Sequence, residues 1–261
     1  MSDVQPAIPV PAATILMLRD GAEGLEVFMV KRHHQIDFVA GALVFPGGKV
    51  HAGDREAGLS DVTDGAGGWP AEMHVVGVAA IREAFEESGI LLARDESGAL
   101  VSPDHLARLQ PHRAALEKNE LSLLDLLRRE KLRLACDLLV RFAHWITPEH
   151  MPKRFDTHFF LAAAPEGHLA AHDGCESVDS VWIRPDAAIA DRKKWNVVFP
   201  TKLNLMKLAE ARTVDEAMAR ARANPPVTVM PWVEQTAEGQ MLRIRNDAGY
   251  AQTSVRLRDA L

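Results

Sequence analysis

Residues 81–90 constrain this chain most, because they place three carboxylates close together on one turn of a helix. Their sequence reads I-R-E-A-F-E-E-S-G-I, and Gly89 marks the end of the segment. At about 100° per residue, Glu83, Glu86 and Glu87 fall within an arc of roughly 100°, opposite an apolar face. The segment therefore predicts an amphipathic helix whose neighbouring acids repel one another.

Two interpretations of this acidic face are open. It is either an ordinary solvated helix surface or a set of oxygen ligands for a hard divalent cation such as Mg²⁺. Arg82 is the one cation beside it in the sequence. The upstream turn Phe45-Pro46-Gly47-Gly48 favours a ligand site, because glycines allow close backbone approach and positive φ angles.

Eight ordered positions in this region resemble the Nudix box, written G-x5-E-x7-R-E-U-x-E-E-x-G-U, where U is a bulky apolar residue. They are Gly48, Asp54, Arg82, Glu83, Glu86, Glu87, Gly89 and Ile90. Asp54 replaces a Glu, and Ala84 occupies the first U position. The box is also interrupted, since 27 residues separate Asp54 from Arg82 where the pattern has seven. The F-P-G-G-K run is a further hallmark of the family.

The resemblance implies an α/β fold, a Nudix α/β/α sandwich with a mixed sheet, plus inserted helices and a C-terminal helical extension. It also implies Mg²⁺ or Mn²⁺ as the cofactor. The implied metal ligands are the Gly48 carbonyl, Glu83, Glu86, Glu87 and the loop acid Glu176. The implied catalytic residues are Arg82, Glu83, Glu86 and Glu87. By this resemblance, Arg82 would orient a box carboxylate, and Glu83 would bind metal or accept the proton of the attacking water. Asp54 would support the turn or the outer metal shell.

Three basic residues are candidate substrate contacts. Arg32, in the cluster K-R-H-H, lies either on a solvated rim or on a phosphate-facing edge. Lys49 is either a solvent lysine or a phosphate contact beside the glycine turn. Arg154 precedes a strand that contains Asp156, so the two residues either form a simple ion pair or lie together at the mouth of the sheet.

The chain divides into an N-terminal arm (1–11), a Nudix domain (12–198) and a C-terminal extension (199–261). Residues 55–73 are rich in Gly, Asp, Ser and Pro and predict a loop, either a lid over the site or an excursion. The acidic helix should begin near Val75 and end at Gly89. Leucines at helical spacing predict two or three inserted helices within residues 102–138.

Three features together resemble the Nudix subgroup that contains the peroxisomal coenzyme A diphosphatase. They are the interrupted box, the leucine-rich segment ahead of W-x-T-P, and the run R-F-D-T-x-F-F-L. The resemblance implies hydrolysis of the pyrophosphate bond in a nucleoside diphosphate linked to another group, with coenzyme A or acyl-CoA favoured. The alternatives are NADH, ADP-ribose or a sugar nucleotide as substrate, or a non-catalytic Nudix-fold module that binds a nucleotide.

Composition excludes other classes of protein. A net charge of −6 argues against a general nucleic-acid binder, which needs a basic surface. Two cysteines form no disulfide framework or zinc ligand set, which is typical of reduced thiols in a cytoplasmic protein. We expect no signal peptide and no membrane span, since no apolar run approaches about 18 residues. The expected partner is a small nucleotide, and the leucine-rich insert would suit a homodimer.

Overall fold

The computed structural model describes residues 6–32, 41–168, 177–191 and 193–260. The strands in these residues are β1 (Val10–Gly21), β2 (Gly24–Arg32), β3 (Leu43–Val44), β4 (Gly47–Lys49), β5 (Thr63–Asp64), β6 (Ala93–Arg94), β7 (Arg133–Ala135), β8 (Val140–Ile146), β9 (Phe155–Ala163), β10 (Ser177–Ile183), β11 (Thr228–Val229), β12 (Trp232–Thr236), β13 (Gly239–Arg243) and β14 (Ser254–Arg256). The helices are α1 (Ala71–Ser88), α2 (Pro103–Leu109), α3 (Arg113–Glu117), α4 (Leu123–Glu130), α5 (Pro185–Ala190), α6 (Phe199–Leu208) and α7 (Val214–Ala223).

The main sheet is mixed, as the family resemblance implied. Its strand order is β10-β2-β1-β9-β8-β11, with β3 paired to β2 and β4 paired to β1. Strand β1 pairs in parallel with β9 but antiparallel with both β2 and β4. Because β1 is long, its first half pairs with β4 and its second half with β2, and this brings the glycine segment into the centre of the sheet.

Alternation along β1 separates two apolar layers. Ala13, Ile15 and Met17 pack with the residues of α1, whereas Leu16 and Leu18 pack on the opposite face with the residues of α6 and α7. Successive side chains of a strand point to opposite faces, so one strand serves both layers. The expected α/β/α sandwich is confirmed. No helix in the described ranges is both long and apolar enough to cross a bilayer.

The acidic helix α1 ends where the sequence predicted. Gly89 has φ 75°, a left-handed conformation that favours glycine, and its N–H bonds to the Phe85 carbonyl. The predicted start near Val75 is wrong, because the helix already begins at Ala71, directly after Pro70. Proline fixes an extended entry at Pro70, where φ is −55° and ψ is 146°.

The interrupting segment packs against the fold and contains regular structure. It includes short 3-10 helices and strand β5, which pairs with β7, so the predicted plain loop is wrong. Leu59 is buried, and the Trp69 ring stacks on Phe160 with centroids 6.2 Å apart and planes 13° apart. Gly77 of α1 lies against the same indole, so a side chain there would overlap with Trp69. This packing favours the excursion over the mobile lid.

The helical insert contains three helices, α2, α3 and α4, within the number predicted. Ser102 caps α2 by accepting a hydrogen bond from the His105 N–H, 3.2 Å away. Leu121 of the insert is half-buried against the apolar layer of α1, and the other leucines that suggested the insert are buried in that layer: Leu106, Leu109, Leu116, Leu124, Leu127 and Leu132. They therefore serve packing within the chain, and a homodimer stays a prediction.

The C-terminal residues complete the second apolar layer. Helices α6 and α7 pack on the main sheet, and β12, β13 and β14 form a small antiparallel sheet beyond them. Tyr250 anchors this region, because its hydroxyl accepts a hydrogen bond from Trp145 Nε1 (2.9 Å) and donates one to Asn204 Oδ1 (2.7 Å). The extension is thus helical, as expected, and also carries strands that are tied to β8.

Replacing Tyr250 with Phe should lower the free energy of unfolding. The change leaves the buried Trp145 N–H and Asn204 oxygen without their partner, which costs about 1–3 kcal/mol. Urea unfolding followed by circular dichroism measures this loss, and an unchanged m-value shows that only stability has changed. A loss well below about 0.5 kcal/mol would contradict the anchoring role, because it is typical of an isolated surface change.

Candidate metal and active site

The three acids of α1 are buried, which excludes a solvated acidic face. Glu83, Glu86 and Glu87 are only 7%, 5% and 7% exposed. They lie beneath β4, where the Gly47 N–H donates to Glu87 Oε2 at 3.0 Å. Carboxylates are almost never buried without partners, because removing a charge from water is costly.

Arg82 organises this buried group. Its Nε and Nη2 atoms form a fork on Asp54, at 2.8 Å and 3.0 Å, and its Nη1 donates to Glu83 at 2.9 Å and to Glu86 at 2.6 Å. Nη2 also donates to the Lys49 carbonyl at 2.8 Å. Burial alone would lower the pKa of Arg82, but its hydrogen bonds and the surrounding acids raise it, so the guanidinium stays charged. The role that the resemblance implied for Arg82, orienting a box carboxylate, agrees with these contacts.

Asp54 joins the two halves of the interrupted box. It is 2% exposed, and besides holding Arg82 it accepts the His51 N–H on Oδ2 at 2.7 Å. A charged fork between aspartate and arginine is geometrically specific. The aspartate that replaces the usual glutamate therefore supports the turn, one of its two expected roles.

Gly47 and Gly48 must be glycine because neighbouring atoms lie too close to leave room for a Cβ atom, and not because of their backbone angles. Neither residue has a positive φ, so the expectation of left-handed glycines at this turn is wrong. Both belong to strand β4, opposite Thr14 and Ala13. A Cβ atom on Gly48 would overlap with the Glu83 carboxylate, and one on Gly47 would overlap with the backbone of Ala13 and Thr14. The strand can therefore lie directly on the acids.

Glu86 provides a test of whether this group suits a cation. Its Oε1 atom is buried and has no hydrogen-bond partner among the described residues. Burial raises the pKa of Glu86 to about 8, an effect that the Glu83 charge reinforces and the Arg82 charge opposes. Asp54, Glu83, Glu86 and Glu87 oppose the guanidinium with an excess of negative charge. Hard oxygen donors of this kind match Mg²⁺ or Mn²⁺.

Arg113 is a residue of this region that the sequence did not reveal. Its Nε and Nη2 atoms donate to the Glu86 carbonyl at 3.2 Å and 2.9 Å, and the nearby Gln110 donates to the Gly89 carbonyl at 2.9 Å. Cations and donors stabilise the C-terminal end of a helix. The helical insert thus braces the end of α1. No spacing rule links positions 27 residues apart in different helices, so only the tertiary structure shows this contact.

The three candidate substrate contacts, Arg32, Lys49 and Arg154, lie in different surroundings. Arg32 lies at the end of β2, on the α1 face by alternation with Phe28 and Val30, and its buried Nε has no hydrogen-bond partner in the described part of the chain. The Lys49 side chain is exposed. Arg154 donates instead to the carbonyls of Ala7 and Thr147, at 2.7 Å and 3.0 Å. The structure therefore joins Arg154 to the N-terminal segment rather than to the acids.

Two further expectations concern carboxylates. Glu176, the expected additional metal ligand, lies outside the described residues. Asp156 contacts His144 Nε2 at 2.5 Å, so its partner in the structure is a histidine of the neighbouring strand rather than Arg154.

Comparison with known proteins agrees with this fold. The model of the NUDT19 Nudix domain matches residues 60–203, which is more than half of the chain. The chain therefore belongs to the Nudix hydrolase family. A solved structure, the NUDIX hydrolase from Alicyclobacillus acidocaldarius, is 27% identical, with a TM-score of 0.69 over 82% of this chain and 96% of that one.

Among curated relatives, the chain is similar to acyl-coenzyme A diphosphatase NUDT19. It is 24% identical to the Xenopus laevis protein over 76% of this chain and 61% of that one. It is 28% identical to the human protein over 64% of this chain and 55% of that one. The putative nudix hydrolase 7 of Caenorhabditis elegans is 28% identical over 78% of this chain and 63% of its own length. The chain thus spans 55% to 63% of the curated relatives it matches.

The raised pKa of Glu86 predicts how pH affects the metal-free protein. The folded pKa is about 8, above the ordinary value of 4.5, so the folded state binds a proton that the unfolded state has lost. The contribution of Glu86 to the free energy of unfolding should therefore be fully present below the ordinary pKa of 4.5 and should be lost as the pH rises through about 8. Thermal melting in EDTA at several pH values measures this fall. The variant Glu86→Gln should show a flatter profile, and equal profiles would contradict the assignment.

Replacing Gly48 with Ala should weaken cation binding without unfolding the protein. The methyl group would overlap with the Glu83 carboxylate and displace it, while the backbone angle suits alanine. We expect Mn²⁺ affinity, measured by calorimetry, to fall by about tenfold or more, as for other displaced ligands. In the matched control Gly67→Ala, the new Cβ meets no atom within 4 Å, so affinity should not change. If both variants bind Mn²⁺ with equal affinity, the Glu83 carboxylate beside Gly48 is not part of a cation site.

Proposed function

We propose that this protein is a metal-dependent pyrophosphohydrolase that cleaves a nucleoside diphosphate linked to another group, with coenzyme A or acyl-CoA as the favoured substrate. The observation that carries the activity is the buried acidic group of α1, held by Arg82 against the glycine strand β4. The interrupted box and the similarity to acyl-coenzyme A diphosphatases support the choice of substrate.

The proposed cation site consists of Glu83, Glu86, Glu87 and the Gly48 carbonyl. The buried Oε1 atom of Glu86 is available as a ligand, because no described residue donates a hydrogen bond to it. When bound, Mg²⁺ or Mn²⁺ would neutralise the diphosphate and lower the pKa of a bound water. Glu176 would add a ligand from its loop, in the role that the resemblance implies.

The chain itself orients the reacting groups. Arg82 fixes the rotamers of Glu83 and Glu86, so these carboxylates meet the substrate without reorganisation. Glu83, next to Gly48, is the candidate acceptor of the proton from the attacking water. Arg32 and Lys49 are the proposed phosphate contacts. Arg154 is the weaker candidate, because backbone carbonyls already occupy its guanidinium.

The alternative is a Nudix-fold module that binds a nucleotide without cleaving it. Such a module has no need for acids at all three box positions. The chain keeps Glu83, Glu86 and Glu87, and each is buried in the same group as Arg82. This retention favours the enzyme, and among enzymes the other candidate substrates are NADH, ADP-ribose and sugar nucleotides.

A substrate panel tests the proposal. The protein is incubated with Mg²⁺ or Mn²⁺ and with coenzyme A, acyl-CoA, NADH, ADP-ribose or a sugar nucleotide, and products are identified by mass spectrometry. We expect coenzyme A to yield 3′,5′-ADP and phosphopantetheine. Cleavage of another panel member alone would reject the substrate but keep the activity. Ligand-induced melting shifts without any split diphosphate would instead favour the binding module.

The variant Glu86→Gln should lower kcat by about 10²–10⁴, the size of electrostatic and acid–base contributions to catalysis. The matched control is Glu72→Gln, because Glu72 lies on the same helix but is exposed, and its carboxylate pairs with Arg55 at 2.9 Å rather than with the acidic group. Rates are measured on whichever substrate the panel identifies. Similar loss in both variants would mean that the effect is not specific to the acidic group.

A further inference from the structure

A second polar group, distinct from the acids of α1, lies on strands β8 and β9. It consists of His144, Asp156 and His158, each half-buried. The strand register places His144 opposite His158 and Ile146 opposite Asp156. One ligand atom from each of the three residues lies within 4.8 Å of the others. The two imidazole rings stack, with centroids 3.9 Å apart and planes 9° apart.

The hydrogen bonds of this group leave one nitrogen unsatisfied. His144 Nε2 lies 2.5 Å from Asp156 Oδ1, and His144 Nδ1 lies 2.8 Å from Thr228 Oγ1. The Nδ1 atom of His158 is buried and has no hydrogen-bond partner among the residues that the structure describes. A buried polar atom without a partner is uncommon and points to a missing ligand or water.

The group also shares a sheet face with α1. Gly48 pairs with Ala13, Ala13 with His158, and His158 with His144, so the four residues form one row across the sheet. Residues paired in this way point to the same face, and the added Cβ of Gly48 would face Glu83. With neighbouring strands about 4.8 Å apart, His158 lies on the order of 10 Å from Gly48.

We propose that His144, Asp156 and His158 bind one divalent transition-metal ion of the Zn²⁺ or Co²⁺ class. Two imidazoles and a carboxylate suit such borderline ions, whereas Mg²⁺ prefers oxygen ligands alone. A ligating histidine usually donates its other ring N–H to a nearby acceptor, and Thr228 is placed to accept from His144 Nδ1. In this tautomer His144 Nε2 and the Asp156 carboxylate are both electron-rich, so a cation must lie between them. At 2.5 Å that cation is a proton, and a metal ion about 2.0–2.2 Å from each atom would hold the two atoms roughly 3 Å apart. The rival is a proton, which would make a simple imidazolium–aspartate pair.

Titration of the full chain with Co²⁺ in excess Mg²⁺ separates the two explanations. Mg²⁺ occupies oxygen sites, and visible absorption reports Co²⁺ held by imidazole. We expect one Co²⁺ per chain in the wild type. His158→Gln and Asp156→Asn should each weaken binding by roughly 10–100-fold or more, and the exposed Thr228→Val by about tenfold, as for ligand and outer-shell changes. Thr228→Val also decides the question if either ligand variant fails to fold.

Two controls make the result specific. His105→Gln removes another histidine–carboxylate pair, whose Nε2 lies 3.4 Å from Glu130, and it should leave Co²⁺ binding unchanged. Glu86→Gln should also leave it unchanged, which separates this site from the proposed activity. The proposal is overturned if the wild type shows no Co²⁺ absorption in excess Mg²⁺, or if the three site variants bind Co²⁺ as well as the wild type.

Discussion

The buried guanidinium of Arg82 is the interaction on which the site depends. It bonds to Asp54, Glu83, Glu86 and the Lys49 carbonyl, and so joins a loop, a helix and a strand. Removing one partner from a buried ionic group is costly, because the remaining charge is left without compensation. The arrangement therefore holds the carboxylates close together in spite of their repulsion, and only a cation or a proton balances the excess charge. Because the pKa of Glu86 is raised, a proton on this carboxyl removes part of the excess negative charge.

The same contact explains how the box tolerates a long interruption. The Asp54–Arg82 fork closes the segment between its two halves, so the acids keep their position whatever the length of the chain between them. Loop-closure entropy rises only slowly with length. Burial of Leu59 and the stacking of Trp69 on Phe160 also offset part of the conformational entropy that the inserted residues lose when they become ordered. Arg113 braces the other end of the helix from the second insert. Both insertions thus support the site mechanically.

Local signals predicted the elements that local physics controls. The end of α1 at Gly89 follows from a left-handed cap, and the buried leucines of the insert follow from helical periodicity. Features that depend on contacts between distant residues did not follow from local signals. The glycines of β4 were expected to supply positive φ, yet Gly48 is needed because Glu83 lies against the strand and Gly47 because the neighbouring strand β1 does. Asp156 and His158 do carry a local signal, because polar residues at alternate positions of an otherwise apolar strand indicate a shared polar face.

What the sequence determined by itself is the identity and order of the chemical groups: three acids on one helical turn, an arginine before them, and a double glycine upstream. These follow from residue type and from the fixed pitch of a helix. Only the tertiary structure decided that the acidic face is buried, that Arg154 is occupied by backbone carbonyls, and that two histidines and an aspartate meet across β8 and β9. Burial and strand register depend on contacts between residues far apart in the chain, and helical spacing contains no information about them.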